Sequence, residues 1–282
     1  MTSVGIVTDS TADLSAAVLE KYGAKFVPLV VNWDGETLRD KVDLSTADFY
    51  RLLRVRKSLP RTGAPSLAAF EAVFREQLQQ HDAVISVNLA SKLSGTYEVA
   101  RRAAESVDPQ RIHVIDSASV SIGISWLLEL AARLAREGVE PATIVNRVEE
   151  ERARVRIYFV VETLEFLQRG GRIGRAAALA GTLLSVKPIL QVRDGEVVPL
   201  ERVRTMNGAL RRLVEMVVAL GPVERLGVID GDAATNADEV ERQLRAHFPE
   251  LTIDRGELGP VVGTHGGPGV VGVGVLRRDA FG

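Results

Sequence analysis

A chain of 282 residues, 46% apolar and 26% charged, has the make-up of an ordinary globular protein and is long enough for one large or two average domains. Its net charge of -2 gives no electrostatic hold on a phosphate backbone, so nucleic acid is not an expected partner. The absence of cysteine excludes a disulfide framework, a thiolate metal site and a cysteine nucleophile.

The chain starts "MTSVGIVTDSTADLS", without a basic segment leading into an apolar one, and no uncharged apolar run reaches the roughly 18 residues that span a bilayer. The expected location is the cytoplasm. Short apolar runs at 4–10, 83–88, 112–117 and 226–231 end in Asp, Ser, Asn or Gly. Being continuous rather than alternating, they predict strands covered on both faces. Helical patterns lie between and around them at 12–22, 66–80, 95–106, 124–137, 141–153, 206–220 and 235–247. That alternation predicts an α/β protein whose N-terminal half is a mainly parallel sheet flanked by helices, with ligands sitting beyond the carboxyl ends of the strands.

The second half reads differently. "KPILQVRDGEVVPLERVRT" is two extended runs joined by Asp194-Gly195, the signal for a tight antiparallel hairpin, so a C-terminal α/β domain with a mixed sheet is expected. The segment "LGPVVGTHGGPGVVGVGVL" reads as a glycine-rich loop followed by a strand. A boundary near 155, after "EEERARVR", gives domains 1–155 and 156–282, and with no low-complexity linker the two should share a broad interface.

Three places carry candidate chemistry. In "SKLSGTYEVARRAAESV", Ser94 or Gly95 stands at a helix N-cap, with Glu98 completing a partial capping box. Ser94 fits a simple cap as well as an anion site, where a hydroxyl supplements the free N–H groups of a helix start. Thr62, between two prolines in "LPRTGAPSLAAF", reads as a loop residue ahead of a helix capped by Ser66. His265, in "GTHGGPG", is one of four histidines, and its glycine neighbours would let backbone approach a ligand closely.

Other motifs exclude more than they assign. "LQRGGRIGRAAALAGTLLSVKP" lacks the Lys and hydroxyl of a P-loop, and a helical segment precedes it where a dinucleotide fingerprint needs a strand. Its stretch 176–186 reads as a buried helix or turn, or as the wall of an apolar pocket. The histidines at 81, 113, 247 and 265 have no metal-ligand spacing, so no metal or cofactor is expected. Asp9, Asp116 and Asp230 at strand ends suit magnesium or, equally, the capping of turns. No Gly-x-Ser-x-Gly elbow marks a serine hydrolase.

Six segments in order, "VTDSTADLS", "SKLSGTY", "VIDSASVSIG", "LEFLQRGGRIG", "LLSVKPIL" and "GPVVGTHGGPG", make the whole chain resemble the DegV family of fatty-acid-binding proteins, which includes the carrier subunit of bacterial fatty acid kinase. The resemblance implies two α/β domains enclosing one long-chain fatty acid, palmitate-like, its carboxylate at the domain interface and its tail in an apolar tunnel. It places the carboxylate contacts on Thr62, Ser94 and His265, with Gly95, Arg169 and Thr264 in support; on physical grounds two hydroxyls, the N–H groups of the helix start at Ser94 and a protonated histidine would supply the donors. In "TGAPS", Gly63 and Ala64 replace the family's more usual Ser and Gln, so contacts through those two side chains are lost. The resemblance further implies a non-catalytic carrier with a separate kinase subunit and a transient membrane contact, Arg172, Arg175, Arg202 and Arg204 being candidates for the docking face. Two other readings stay open: an acyl hydrolase with Ser94 or Thr62 as nucleophile and His265 as base, and a nucleotide-binding α/β module.

Overall fold

The computed structural model describes residues 2–179 and 186–279. The chain begins with β1 (Val4–Asp9), a 3-10 turn at Ser10–Ala12 and α1 (Ala16–Tyr22). The helix expected from residue 12 starts only at Ala16, because Asp13 takes a left-handed conformation and Ser15 is the true cap, its Oγ accepting from Val18 N. Then come β2 (Ala24–Val27), β3 (Val30–Trp33), β4 (Glu36–Arg39), α2 (Thr46–Val55) and β5 (Arg61–Gly63). The sequence pattern did not announce these five. Thr62, expected in a loop, is therefore in a strand, paired with Val31.

The rest of the first half follows the expected alternation: α3 (Leu67–Leu78), β6 (Ala83–Asn88), α4 (Thr96–Val107), β7 (Ile112–Asp116), α5 (Ile122–Arg136) and α6 (Pro141–Arg152). The second half runs β8 (Val155–Val160), α7 (Glu165–Arg169), a 3-10 stretch at Gly174–Leu179, β9 (Lys187–Arg193) and β10 (Glu196–Val203). It continues with α8 (Met206–Val218), β11 (Val223–Gly231), α9 (Ala234–His247), β12 (Ile253–Glu257), α10 (Pro260–Gly266) and β13 (Val270–Arg277). Asp194 and Gly195 both have positive φ, as a two-residue hairpin turn between right-twisted strands requires.

Two readings are corrected here. The glycine-rich segment holding His265 is not a loop: Pro260 opens a helix at its first turn and Gly267, at φ +74°, closes it. Residues 176–179 do not form a buried helix; Ala176 is buried but Ala177 and Ala178 are exposed, and 180–185 lie outside the described residues.

The sheets divide along the chain. Strands β2-β1-β6-β7 form a four-stranded, all-parallel sheet, and β4-β3-β5 a small antiparallel one. The six-stranded sheet β10-β9-β8-β13-β11-β12 is mixed: β11 and β12 are parallel and the other neighbours antiparallel. Its outer face packs Tyr158, Val160 and Val273 against Leu210, Leu213 and Val214 of α8 and Val240 of α9. On its inner face Phe159, Leu190 and Val270 join a core shared with Leu29, Leu89 and Ile124 of the first half. A cavity lies at that shared core.

Candidate ligand-binding site

The inner face of the six-stranded sheet does not pack solidly against the first half. Ile157 and Phe159 of β8, Val192 of β9, Val197 of β10, Ile229 of β11 and Val270 of β13 look onto a cavity whose opposite wall is Thr11, Leu29, Leu89, Leu93 and Val120. Its empty volume is about 790 Å³, part of it open to solvent, and its lining is almost wholly apolar. Gly272 helps keep it clear, since a Cβ there would stand 2.9 Å from Ile229 Cγ1.

One end of the cavity meets a polar cleft formed by Leu59, Pro60, Arg61, Phe166, Arg169, Gly170 and Thr264. Thr62, Arg172 and His265 line both spaces, so they stand where apolar lining gives way to polar. Ser94 lines the cavity on the same side as Leu93.

His265, on α10, lies with Nε2 2.8 Å from Thr62 Oγ1 on β5. The ring rests on Gly170, where any Cβ would overlap Nδ1. Nδ1 is buried and has no hydrogen-bond partner among the described residues. Burial, helped by the positive charge of Arg172, pushes its pKa down to about 4. In the protein by itself the imidazole is therefore neutral near pH 7, whereas the protonated histidine is expected beside a bound carboxylate, whose charge favours the protonated form. A neutral ring has one N–H. With that proton on Nε2, it donates to Thr62 Oγ1 and leaves the threonine hydroxyl proton free for an anion; the other tautomer would consume it.

The positive charge belongs instead to Arg172, which had been assigned to a docking face. Its Nε donates to Leu93 O at 2.9 Å and its NH1 to Gly170 O at 2.7 Å, fixing the half-buried guanidinium beside His265. No acidic side chain pairs with it among the described residues. A carboxylate at this junction would meet a cation, two hydroxyls and an imidazole.

The other expected residues divide. Ser94 Oγ accepts from Thr96 N at 3.3 Å and lies 2.9 Å from Thr96 Oγ1, while Gly95 is the N-cap of α4. Gly95 is exposed, lines neither the cavity nor the polar cleft, and a Cβ there would meet no protein atom within 4 Å. Glu98 completes no capping box; it pairs with Arg101 and Arg102. Arg169 is exposed, pairs with Glu165 at 2.9 Å and reaches only the outer cleft. Thr264 is buried and donates its hydroxyl proton to Pro260 O at 2.8 Å.

The strand-end aspartates are committed to structure. Asp9 accepts from Leu89 N, Thr11 N and Asn88 Nδ2; Asp116 from Ser91 and Ala118 N; Asp230 from Ala233 N. Among the described residues no cluster of His, Cys, Asp or Glu is arranged to hold a metal. The Thr62–His265 contact has the reach of a nucleophile–base pair, but the unpartnered Nδ1 lacks the orienting acid of such a dyad. No helix is long and apolar enough to cross a membrane among the described residues.

Fold and site together define a two-part α/β protein with an apolar internal cavity and a polar, cationic mouth. A family model described as an uncharacterised protein of the DegV family matches residues 3–278. The chain belongs to the DegV family. It is 38% identical to a DegV domain-containing protein of Caldanaerobacter subterraneus over 97% of this chain and 98% of that one, and 34% identical to Protein DegV of Bacillus subtilis over 96% and 98%. Among solved structures it is similar to a DegV family protein from Thermus thermophilus, described by its fatty acid binding, with a TM-score of 0.92 and 32% identity over 98% and 100% of the two chains. The fatty acid binding protein DegV of Bacillus subtilis superposes with a TM-score of 0.90 at 33% identity over 99% and 100%. A stearic acid-binding protein from Eubacterium ventriosum does so at 0.90 and 28% over 98% and 98%.

Proposed function

We propose that this protein binds one long-chain fatty acid, palmitate-like in length, between its two halves, 1–155 and 156–282. The carboxylate sits at Thr62, Ser94 and His265, and Arg172 supplies the counter-charge. The observation that carries this reading is that Thr62, Arg172 and His265 each line both the apolar cavity and the polar mouth. A ligand filling both must be an amphiphile with one anionic end. The ligands named for the Thermus, Bacillus and Eubacterium proteins support the same class here.

The energetics agree. Burying methylenes at about 0.8 kcal/mol each gives roughly 10 kcal/mol gross for a palmitoyl tail, before ordering costs. A buried carboxylate costs several kcal/mol unless hydrogen-bonded, so the head-group residues offset a penalty and fix orientation. Affinity comes from the tail.

In this reading the protein is a cytoplasmic carrier without its own cofactor or chemistry. It presents the carboxylate to a separate kinase subunit for acyl-phosphate formation and exchanges ligand at a membrane surface. With Arg172 drawn into the site, the exposed Arg175, Arg202 and Arg204 remain as the docking candidates.

Mass spectrometry of an organic-solvent extract of the purified, never-lipid-treated protein tests the reading. Stoichiometric long-chain fatty acid is expected; an empty extract with no stabilisation by added palmitate or oleate would overturn it. An esterase rate lost in His265→Ala would replace the carrier with the hydrolase.

A further inference from the structure

The apolar cavity has a second neighbour. A cleft of about 560 Å³ empty volume, open to solvent, lies between α1, α5 and β12, with Leu14, Val18, Ile122 and Trp126 on its apolar side. Ile229 of β11 is the one described residue that lines both this cleft and the cavity. Elsewhere the partition is chain: Thr11 and Val120 face the cavity, their successors Ala12 and Ser121 face the cleft. Ser121 N donates to Thr11 O at 2.9 Å, and Ser125 Oγ to Ala12 O at 2.6 Å, tying these segments together.

Ile229 is seated in an unusual way. Its direct cross-strand neighbours are both glycines, Gly256 on β12 and Gly272 on β13. A Cβ on Gly272 would stand 2.9 Å from Ile229 Cγ1 and one on Gly256 3.0 Å from Cγ2, so the isoleucine fills the space of three positions. At the next paired level Gly227 and Gly274 are covered by Ile122 and Trp126 of α5, which leave no room for a Cβ on either glycine. α5 therefore closes the cavity at that level, and Ile229, β-branched and stiff, closes it toward the cleft.

We propose that Ile229 is the length stop of the cavity: it holds the tail end of the ligand out of the cleft and so sets the longest acyl chain accepted. The inference rests on the fatty-acid reading above. Replacing isoleucine by alanine removes three carbons from a partition that elsewhere is backbone, and a longer tail gains an apolar path along Ile122, Val18 and Leu14.

The test is displacement of a fluorescent fatty acid from the delipidated full-length protein by palmitate, stearate, arachidate and lignocerate. Ile229→Ala is expected to raise the affinity for arachidate relative to palmitate about tenfold or more, the value of two newly buried methylenes. Ile229→Val should move the ratio the same way by less. Gly256→Ala, which crowds Ile229 toward Gly272 and the cavity, should move it toward shorter acids. An unchanged ratio in an Ile229→Ala protein that still binds palmitate overturns the length stop and leaves the fatty-acid reading intact. Wild-type protein that takes up no acid of any length overturns both. Should Ile229→Ala fail to fold, the ratio in Ile229→Val decides in the same way.

Discussion

Thr62 Oγ1 and His265 Nε2, 203 residues apart in the chain, lie 2.8 Å from one another and tie β5 of the first half to α10 of the second at the mouth of the apolar cavity. The pair works as a unit: the ring fixes the hydroxyl, and the hydroxyl presents one proton. Thr62→Val keeps the shape and removes that proton. It should weaken fatty-acid binding by about 10- to 150-fold, the 1.5–3 kcal/mol of a hydrogen bond to a charged group, and lower the stability of the empty protein by about 1–3 kcal/mol, because the buried imidazole loses its Nε2 partner. Thr62→Ser should retain most of the affinity. Equal binding by Val and wild type, measured by calorimetry, would remove Thr62 from the head-group set.

Two arginines separated by two glycines should differ sharply. Arg172 is anchored to Leu93 O and Gly170 O beside His265, whereas Arg169 points outward to Glu165. Arg172→Gln should cost the carboxylate its cation and lower affinity at least tenfold, with strong sensitivity to head-group charge: a fatty alcohol should lose little. Arg169→Gln should change affinity by less than about twofold, as expected of an exposed pair. The reverse ranking would restore Arg169 to the site.

The same contrast shows what the sequence made legible. Continuous apolar runs marked β1, β6 and β7 because both faces are covered, and Asp194-Gly195 marked the β9–β10 hairpin because few residues tolerate two successive positive φ angles. The short strands β2 to β5 were missed because three or four residues are too few to establish a period. The α10 segment was read as a loop from its glycines, yet Gly263 is there for contact: a Cβ would stand 2.6 Å from Tyr50 Oη and 2.7 Å from Phe49 Cε1 of α2. Thr62, Ser94 and His265, expected at the carboxylate, all line the cavity. Arg172, expected as a docking candidate, stands at the cavity mouth; Gly171 before it takes φ +68°, a left-handed backbone that the run of charges and glycines does not reveal.

Glycine substitutions separate contact from conformation. Gly170→Ala puts a methyl where His265 Nδ1 stands, so the ring must move away from Thr62. Binding should fall at least as far as in Thr62→Val. Gly95→Ala adds its methyl to open space at φ -70°, and should leave binding within about twofold and stability within ~1 kcal/mol. A large binding loss at Gly95 would mean that the backbone there meets the head group after all.

Asp40 and His265 shift the pH dependence of folding in opposite directions, and Asp9, whose fully buried carboxyl is also raised by burial, acts in the same sense as Asp40. Asp40 is 1% exposed, and burial raises its carboxyl to about 7 against the lowering pull of Ser10 and Lys41; Asp13 adds to the rise. Its folded pKa exceeds the unfolded value, so the native state binds the extra proton between about 4 and 7 and the destabilising charge is complete only above that window. Stability therefore rises as pH falls from 8 to 6. His265 does the reverse: with its pKa pushed down to about 4, its contribution is whole above 6.5 and is lost as pH falls toward 4. The empty protein should thus melt higher at pH 6.5 than at pH 8, and flatten or decline toward pH 4.5. Asp40→Asn should reduce the gain between pH 8 and 6.5 and keep the acid decline; His265→Gln should keep the gain and reduce the decline. A melting temperature independent of pH from 8 to 6.5 in the wild type would show that Asp40 titrates in the ordinary carboxylate range, and that the segment joining β4 to α2 admits more water than its packing implies.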